Sequence, residues 1–222
     1  MAETDLHRQL MTALIEALED RFAADPNVYV SGNLLLFFEE GNKRKHVSPD
    51  VFVVFGVPKR VRDNYLLWEE GRGPNVVIEL TSSSTRREDT NTKHELYRDV
   101  LRVPEYFLFD PRGDYLNPQF QGFRLTAGEY RPMRLKEGRL QSRQLGLWLV
   151  SVGEHLRLGD PDTGKLLPTR AEAREAEAQA RQAAEEQARA EAQARQAAEA
   201  EVERLRAELT AARNRPDPRN GR

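Results

Sequence analysis

Two carboxylates stand where a carboxylate is costly. Asp50 opens the apolar run Val51 to Phe55 directly behind Pro49, and Glu79 lies near the end of a second apolar run, VVIEL. Burying an unpaired carboxylate among Val76, Val77, Ile78 and Leu80 costs several kcal/mol, so something must compensate it. A hard divalent cation shared by two oxygen donors is one solution, and it would make the pair a metal centre. Their spacing of 29 residues allows adjacent strands joined by a long loop, with both side chains meeting at one sheet end. A plainer alternative stays open: Asp50 caps a turn, and Glu79 pairs with an arginine.

Three further residues follow in phase. Asp89, Lys93 and Tyr97 recur at i, i+4 and i+8, one continuous helix face. If that face lies against the sheet near Glu79, Lys93 reaches the same centre. If it does not, Asp89 and Lys93 form a wet surface pair worth about 0.3–0.5 kcal/mol. Glu16 is a weaker candidate for the cluster and reads more simply as exposed. Asp110, at a strand end before Pro111, reads as a turn residue. His7, His46, His94 and His155 have no metal-ligand spacing, and each reads as a surface or partly buried residue.

Composition removes other chemistries. With no cysteine there is no disulfide, thiolate metal site or cysteine nucleophile. No glycine-rich phosphate loop, G-x-S-x-G elbow or dinucleotide fingerprint is present. The 34 basic and 36 acidic residues give a net charge of -2, hence no global field for a polyanion. The longest apolar stretches, Leu34 to Phe38 and Val51 to Phe55, are far short of the roughly 20 residues that span a bilayer. The start, MAETDLHRQL, lacks the basic and apolar regions of a secretory signal, so the cytoplasm is the expected location.

The elements that must position these groups follow from periodicity. Leu6, Leu10, Leu14, Leu18 and Phe22 predict a helix over 4–24. A strand is expected over 28–40, with a turn at Gly41-Asn42, and others at 51–55, 75–80 and 106–109. Thr85 and Glu88 read as a capping box that starts a helix over 86–100. Shorter strands are expected at 120–126, 129–135 and 145–151. The order predicts an α/β fold with one mixed central sheet, in which a right-handed crossover makes the fourth strand parallel to the third.

Near Pro168 the composition changes. All 17 aromatics precede it, so the packable core is confined to 1–168. The tail, 169–222, holds eleven Arg, no Lys and eleven acidic residues, and EAQARQAAE at 177–185 returns at 191–199. Ala173, Ala176, Ala180 and Ala183 follow coiled-coil spacing, but an alanine seam is weak. A solvated single helix and a self-associating one are both open readings, and the final RPDPRNGR is expected to fray.

Taken in order, SPDVFVV, VIELTSSST, the helix residues Asp89, Lys93 and Tyr97, and VPEYFLFDP resemble the Uma family of restriction endonucleases, first catalogued as a domain of unknown function. That family belongs to the PD-(D/E)xK nuclease superfamily. The resemblance covers most of residues 5–167, and LGLWL and LRLGDPDTGKLL are similar to the family's trailing strands. It implies a restriction-endonuclease-like core (helix, mixed central sheet, crossover helix) with a long C-terminal helix. Asp50 takes the motif aspartate position and Glu79 the (D/E) position. Thr81 stands where the superfamily has lysine, and Lys93 is the expected substitute.

What the resemblance implies functionally is a Mg- (or Mn-) dependent endonuclease hydrolysing DNA phosphodiesters. Asp50, Glu79 and the Leu80 carbonyl would hold the ion, and Lys93 would face the phosphate. Asp89, Tyr97 and Thr81 would position these groups. Lys43, Arg44, Lys45, Arg86 and Arg87 are candidate DNA contacts, and Lys59, Arg60 and Arg62 form a further basic cluster flanking Asp50. The alternative from another class is an inactive nuclease fold kept as a DNA-binding or assembly module. A homo-oligomer, through the core or the C-terminal helix, is compatible with either, as is docking of the tail to another protein.

Overall fold

Helix α1 (Asp5–Arg21) starts at Thr4, whose hydroxyl accepts the His7 N–H at 3.2 Å, and its stripe of Leu10, Met11, Leu14 and Leu18 is buried. The computed structural model describes residues 4–82 and 85–213. After α1 the chain enters β1 (Val28–Ser31), which pairs antiparallel with β4 (Val51–Phe55). The single strand expected over 28–40 does not form. It breaks at Gly32, and β2 (Leu36–Phe37) leaves to join β3 (His46–Val47) and β5 (Tyr65–Leu66) in a separate small sheet. Close approach explains the break: a Cβ on Gly32 would sit 2.0 Å from the Asp50 carbonyl oxygen. That contact, with the Asn33 N–H donating to the Pro49 carbonyl at 2.8 Å, fixes the backbone that carries Asp50.

The short helix α2 (Leu67–Glu70) leads to β6 (Val76–Leu80). Helical structure then runs over 86–100, where α3 (Lys93–Glu95) lies between two wider, π-type turns, Glu88–Thr92 and Leu96–Val100. The capping box does not form. The Thr85 hydroxyl instead accepts the Ser82 N–H at 3.1 Å and shares a hydrogen bond with the Ser82 hydroxyl at 3.1 Å. This crossover helix delivers β7 (Glu105–Phe109), which pairs parallel with β6 as expected. Strands β8 (Phe120–Thr126) and β9 (Glu129–Pro132) complete a six-stranded sheet of order β1-β4-β6-β7-β8-β9. A three-stranded meander, β10 (Arg139–Ser142), β11 (Leu147–Val152) and β12 (His155–Gly159), forms a third sheet, of which β11 was expected from the residue pattern and β12 only from the resemblance.

Both faces of the central sheet are covered, which is why its middle strands read as unbroken apolar runs. On one face Val51, Val53, Val76, Ile78 and Phe107 pack with the α1 stripe and the meander. On the other, Phe52, Val54, Val77, Tyr106 and Leu108 pack with Tyr97, Leu101 and Val103. Asp110 is the turn residue the sequence suggests: its buried carboxylate accepts the N–H groups of Arg112, Gly113, Tyr115 and Leu116.

Contacts divide the chain into two units, 1–170 and 171–222. The second holds nearly all of α4 (Arg170–Arg213), whose described side chains beyond Arg170 are exposed, Val202, Leu205 and Leu209 included. Pairs such as Arg181–Glu185 and Arg195–Glu199 stabilise it locally. The RPDPRNGR end lies outside the described residues. Because the tail buries so little, removing 171–222 is expected to leave the core's thermal midpoint within about 2 °C of the full chain. Calorimetry of the truncated protein checks this, and a fall beyond about 5 °C would assign the tail a structural role.

Candidate active site

Val51 pairs with Ile78 in the antiparallel β4–β6 register, so Asp50 and Glu79 occupy the next opposing positions. The Asp50 carboxylate accepts the Leu80 N–H at 2.7 Å, and the Asp50 N–H lies 3.4 Å from Glu79 Oε2. Alternation places Glu79 on the sheet face shared with Val77, beneath the crossover helix, where its side chain is 0% exposed. Asp50, at the strand's edge, keeps 14% of its side chain exposed.

The helix face meets this pair. Lys93 Nζ donates to Glu79 Oε2 at 3.0 Å and lies 3.1 Å from Asp89 Oδ1. The Tyr97 hydroxyl donates to Glu79 Oε1 at 2.6 Å. Tyr106, from β7, donates to the Asp89 carbonyl at 2.9 Å and ties the helix to the sheet. Neither plain alternative holds: Glu79 is paired with a lysine rather than an arginine, and the Asp89–Lys93 pair is buried rather than wet.

Charge in this cluster is unbalanced. Three carboxylates, Asp50, Glu79 and Asp89, surround one ammonium. Burial pushes the Glu79 carboxyl well above its ordinary range, with Lys93 opposing and Asp50 and Asp89 adding to the rise. Asp89 is raised by burial too, again opposed by Lys93. For Lys93, burial works against the ammonium, but Glu79, Asp89 and Asp50 outweigh it and raise its pKa. Burial and the neighbouring Glu79 push the Tyr97 phenol well up. The lysine therefore stays charged, and the surplus of carboxyls over cations in a nearly dry place favours proton uptake by Glu79 and Asp89.

That surplus is the fit test for a divalent cation. Two hard carboxylates at one sheet end, short of positive charge, have the donor chemistry such an ion takes. Among the described residues no group of three His, Asp or Glu side chains forms a ready ligand set, so backbone oxygen or water must complete it.

One neighbour was missed in the sequence. His7 Nε2 lies 3.1 Å from Asp50 Oδ1, with the two side chains 13% and 14% exposed. The signal was its phase: His7 precedes Leu10, Met11 and Leu14 by one and two turns, on the same inward stripe. Thr81 is buried beside Glu79, and among the described residues its hydroxyl has no hydrogen-bond partner. His7, Thr81, Ser82, Arg112 and Tyr115 line a small concavity of about 100 Å³ at this end of the sheet.

The basic candidates fare unequally. Lys43, Arg44, Lys45, Arg86 and Arg87 are exposed. Arg60 and Arg62 are not available to a polyanion, because both pair with Glu70 at 2.7 Å and Arg62 also stacks on Tyr29. Lys59 donates to the Phe22 and Ala23 carbonyls. Glu16 lies outside the cluster, paired with Arg170 at 3.3 Å.

The comparisons with known proteins bear on what this arrangement is. The family model Uma2, described as "Putative restriction endonuclease", matches residues 1–152. No curated protein matches the chain at a significant level. Among solved structures, one described as a "putative nuclease belonging to DUF820", from Anabaena variabilis, is similar with a TM-score of 0.48 at 14% identity, over 65% of this chain and 76% of that one. The family match spans well over half of the chain, including every member of the acidic cluster and its lysine. This chain belongs to the Uma2 family, described as "Putative restriction endonuclease".

Proposed function

We propose that the chain is an endonuclease that hydrolyses DNA phosphodiesters with Mg²⁺ (or Mn²⁺). Asp50 and Glu79 would hold the ion, with the Leu80 carbonyl as a further oxygen donor. When bound, the ion would polarise the phosphate and lower the pKa of a coordinated water. Lys93 is the amine: permanently charged and 3.0 Å from Glu79, it brings positive charge to the place where phosphate oxygens gain negative charge. Tyr97 and Asp89 hold Glu79 and Lys93 in register. Exposed Lys43, Arg44, Lys45, Arg86 and Arg87 would meet the DNA backbone.

The observation that carries this reading is the convergence of Lys93 with the Asp50–Glu79 pair, from three separate elements, on one charge-deficient spot. Supercoiled plasmid is expected to be nicked in Mg²⁺ and spared in EDTA; undiminished nicking in EDTA overturns it. Thr81 at the superfamily's lysine position favours the second reading, a nuclease fold kept as a binding module. Mn²⁺ titration calorimetry separates the two, since an inactive module with an abandoned site takes up no ion.

His7 acts in this reading by holding the Asp50 carboxylate. His7→Ala is expected to weaken Mn²⁺ binding about tenfold, and His7→Gln by less. Equal calorimetric affinities for His7→Ala and the unaltered protein would remove His7 from the site.

A further inference from the structure

The chain's net charge of -2 hides a local reversal. Residues 124–143 carry six basic and two acidic side chains. Across β8 and β9, Arg124 stands directly opposite Arg131, a like-charge pair that by itself destabilises the ladder. Arg124 is offset by buried Glu105, at 2.9 Å. Arg131 is not. With Arg134, Lys136 and Arg143 it is exposed, and among the described residues no carboxylate pairs with any of the four. All four border one open concavity of about 440 Å³, whose lining includes Trp148 and Gln141. The larger concavity beside α1 shows the contrast. It too is lined by cations, Lys59, Arg60, Arg62 and Arg170, but the three arginines are neutralised by Glu70, Glu19 and Asp20 and Lys59 is spent on carbonyls.

We propose that the β8–β11 concavity is a binding surface for the phosphodiester backbone of DNA, separate from the loop that carries Lys43–Lys45 and the helix start that carries Arg86–Arg87. Three of its four unpaired cations are arginines, whose planar fork suits phosphate oxygens, and unpaired cations around one hollow are what phosphates neutralise on binding. The indole of Trp148, beneath Arg139 at 5.6 Å, gives the hollow a flat wall. Its place in the sheet is compatible with the proposed chemistry. Arg124 lies opposite Glu105, which lies opposite Val76, three residues before Glu79. By strand spacing that puts the Arg124 backbone about 14 Å from that of Glu79. This is well inside one turn of duplex, roughly 34 Å. The inference rests on the nuclease reading only for its choice of polyanion.

The test measures binding of a fluorescein-labelled DNA duplex by anisotropy, on the full chain carrying Asp50→Asn, in EDTA. Neither cleavage nor metal then enters, so an inactive site cannot mask the result. In that background Arg131→Gln/Arg134→Gln/Arg143→Gln is expected to weaken binding at least about 30-fold near 0.1 M salt and to flatten the salt dependence of log K by about 2.7. Lysine at the same three positions should keep the affinity within about threefold, since it restores the charge. Unchanged affinity in the glutamine variant overturns the proposal. So does an equal loss when the same charge is removed from the tail, as Arg174→Gln/Arg189→Gln/Arg206→Gln. Wild-type chain that binds phosphatidylserine vesicles but not the duplex would overturn it as well.

Discussion

Asp50→Asn and Glu79→Gln are each expected to lower Mg²⁺-dependent nicking of plasmid on the order of 10³-fold, while the fold persists. Both substitutions keep shape and remove one charge. Glu79→Gln carries a second, opposite expectation. Burial holds the Glu79 carboxyl above its unfolded value, so the folded state binds its proton more tightly than the unfolded state does. Stability from that proton is full below the unfolded pKa, about 4.3, and is lost as pH rises through the folded value. At neutral pH the carboxylate is therefore a burden on the metal-free protein. Its removal is expected to raise the stability by about 1 kcal/mol, and with it the midpoint by about 2–4 °C. The gain should shrink toward pH 4, where the native carboxyl is itself protonated. Calorimetry in EDTA at several pH values, beside the nicking assay, reads both effects. A glutamine variant that nicks like wild type, or melts lower at pH 7, would sink the assignment of Glu79 as a charge held for function.

How much of this was legible in the sequence depends on the range of the forces involved. The α/β order, the parallel β6–β7 pair and the crossover helix follow from local periodicity and chain handedness, and these need no knowledge of packing. The meeting of Asp50, Glu79, Lys93 and Tyr97 was readable for a related reason. A carboxylate inside VVIEL demands compensation, and a helix face at i, i+4, i+8 offers it. What failed was non-local. Leu34 to Phe38 has strand composition, but only the close passage of Gly32 over the Asp50 carbonyl decides that the strand breaks there. Arg60 and Arg62 read only as a basic cluster because Glu70 lies on another element, and Arg62 needs the ring of Tyr29 to be understood. His7 shows a failure of habit. A polar residue on an apolar helix stripe carries the same signal as Glu79 does in its strand, yet spacing rules for histidine ligands look along the sequence rather than across a sheet end. The arginines of β8 and β9 were hidden by averaging, since a balanced total charge says nothing about which strands carry it.

Lys93→Met is expected to destabilise the metal-free protein by about 3–5 kcal/mol, because it leaves Glu79 and Asp89 buried with no cation between them. At this chain length that is a fall of roughly 6–20 °C in the midpoint. Methionine keeps the side chain's length and apolar stem, so the loss isolates the charge. Two dependences separate a metal centre from an ordinary buried ion pair. The carboxyls of Glu79 and Asp89 are already raised, and without the ammonium they rise further. The deficit should therefore grow as pH rises through the raised wild-type values of those groups, where they ionise beside the ammonium but stay protonated without it. Millimolar Mn²⁺ should restore much of the loss, about 2.7 kcal/mol where the ion is at 100 times its Kd, because it supplies the missing charge at the same spot. Potassium chloride of equal ionic strength should not, since screening acts weakly on a cluster this dry. A variant that melts within about 2 °C of wild type would mean that Lys93 compensates nothing. Recovery by either salt alike would mean that the cluster has no preference for a divalent ion, and the case for hydrolysis at Asp50 and Glu79 would lose its physical basis.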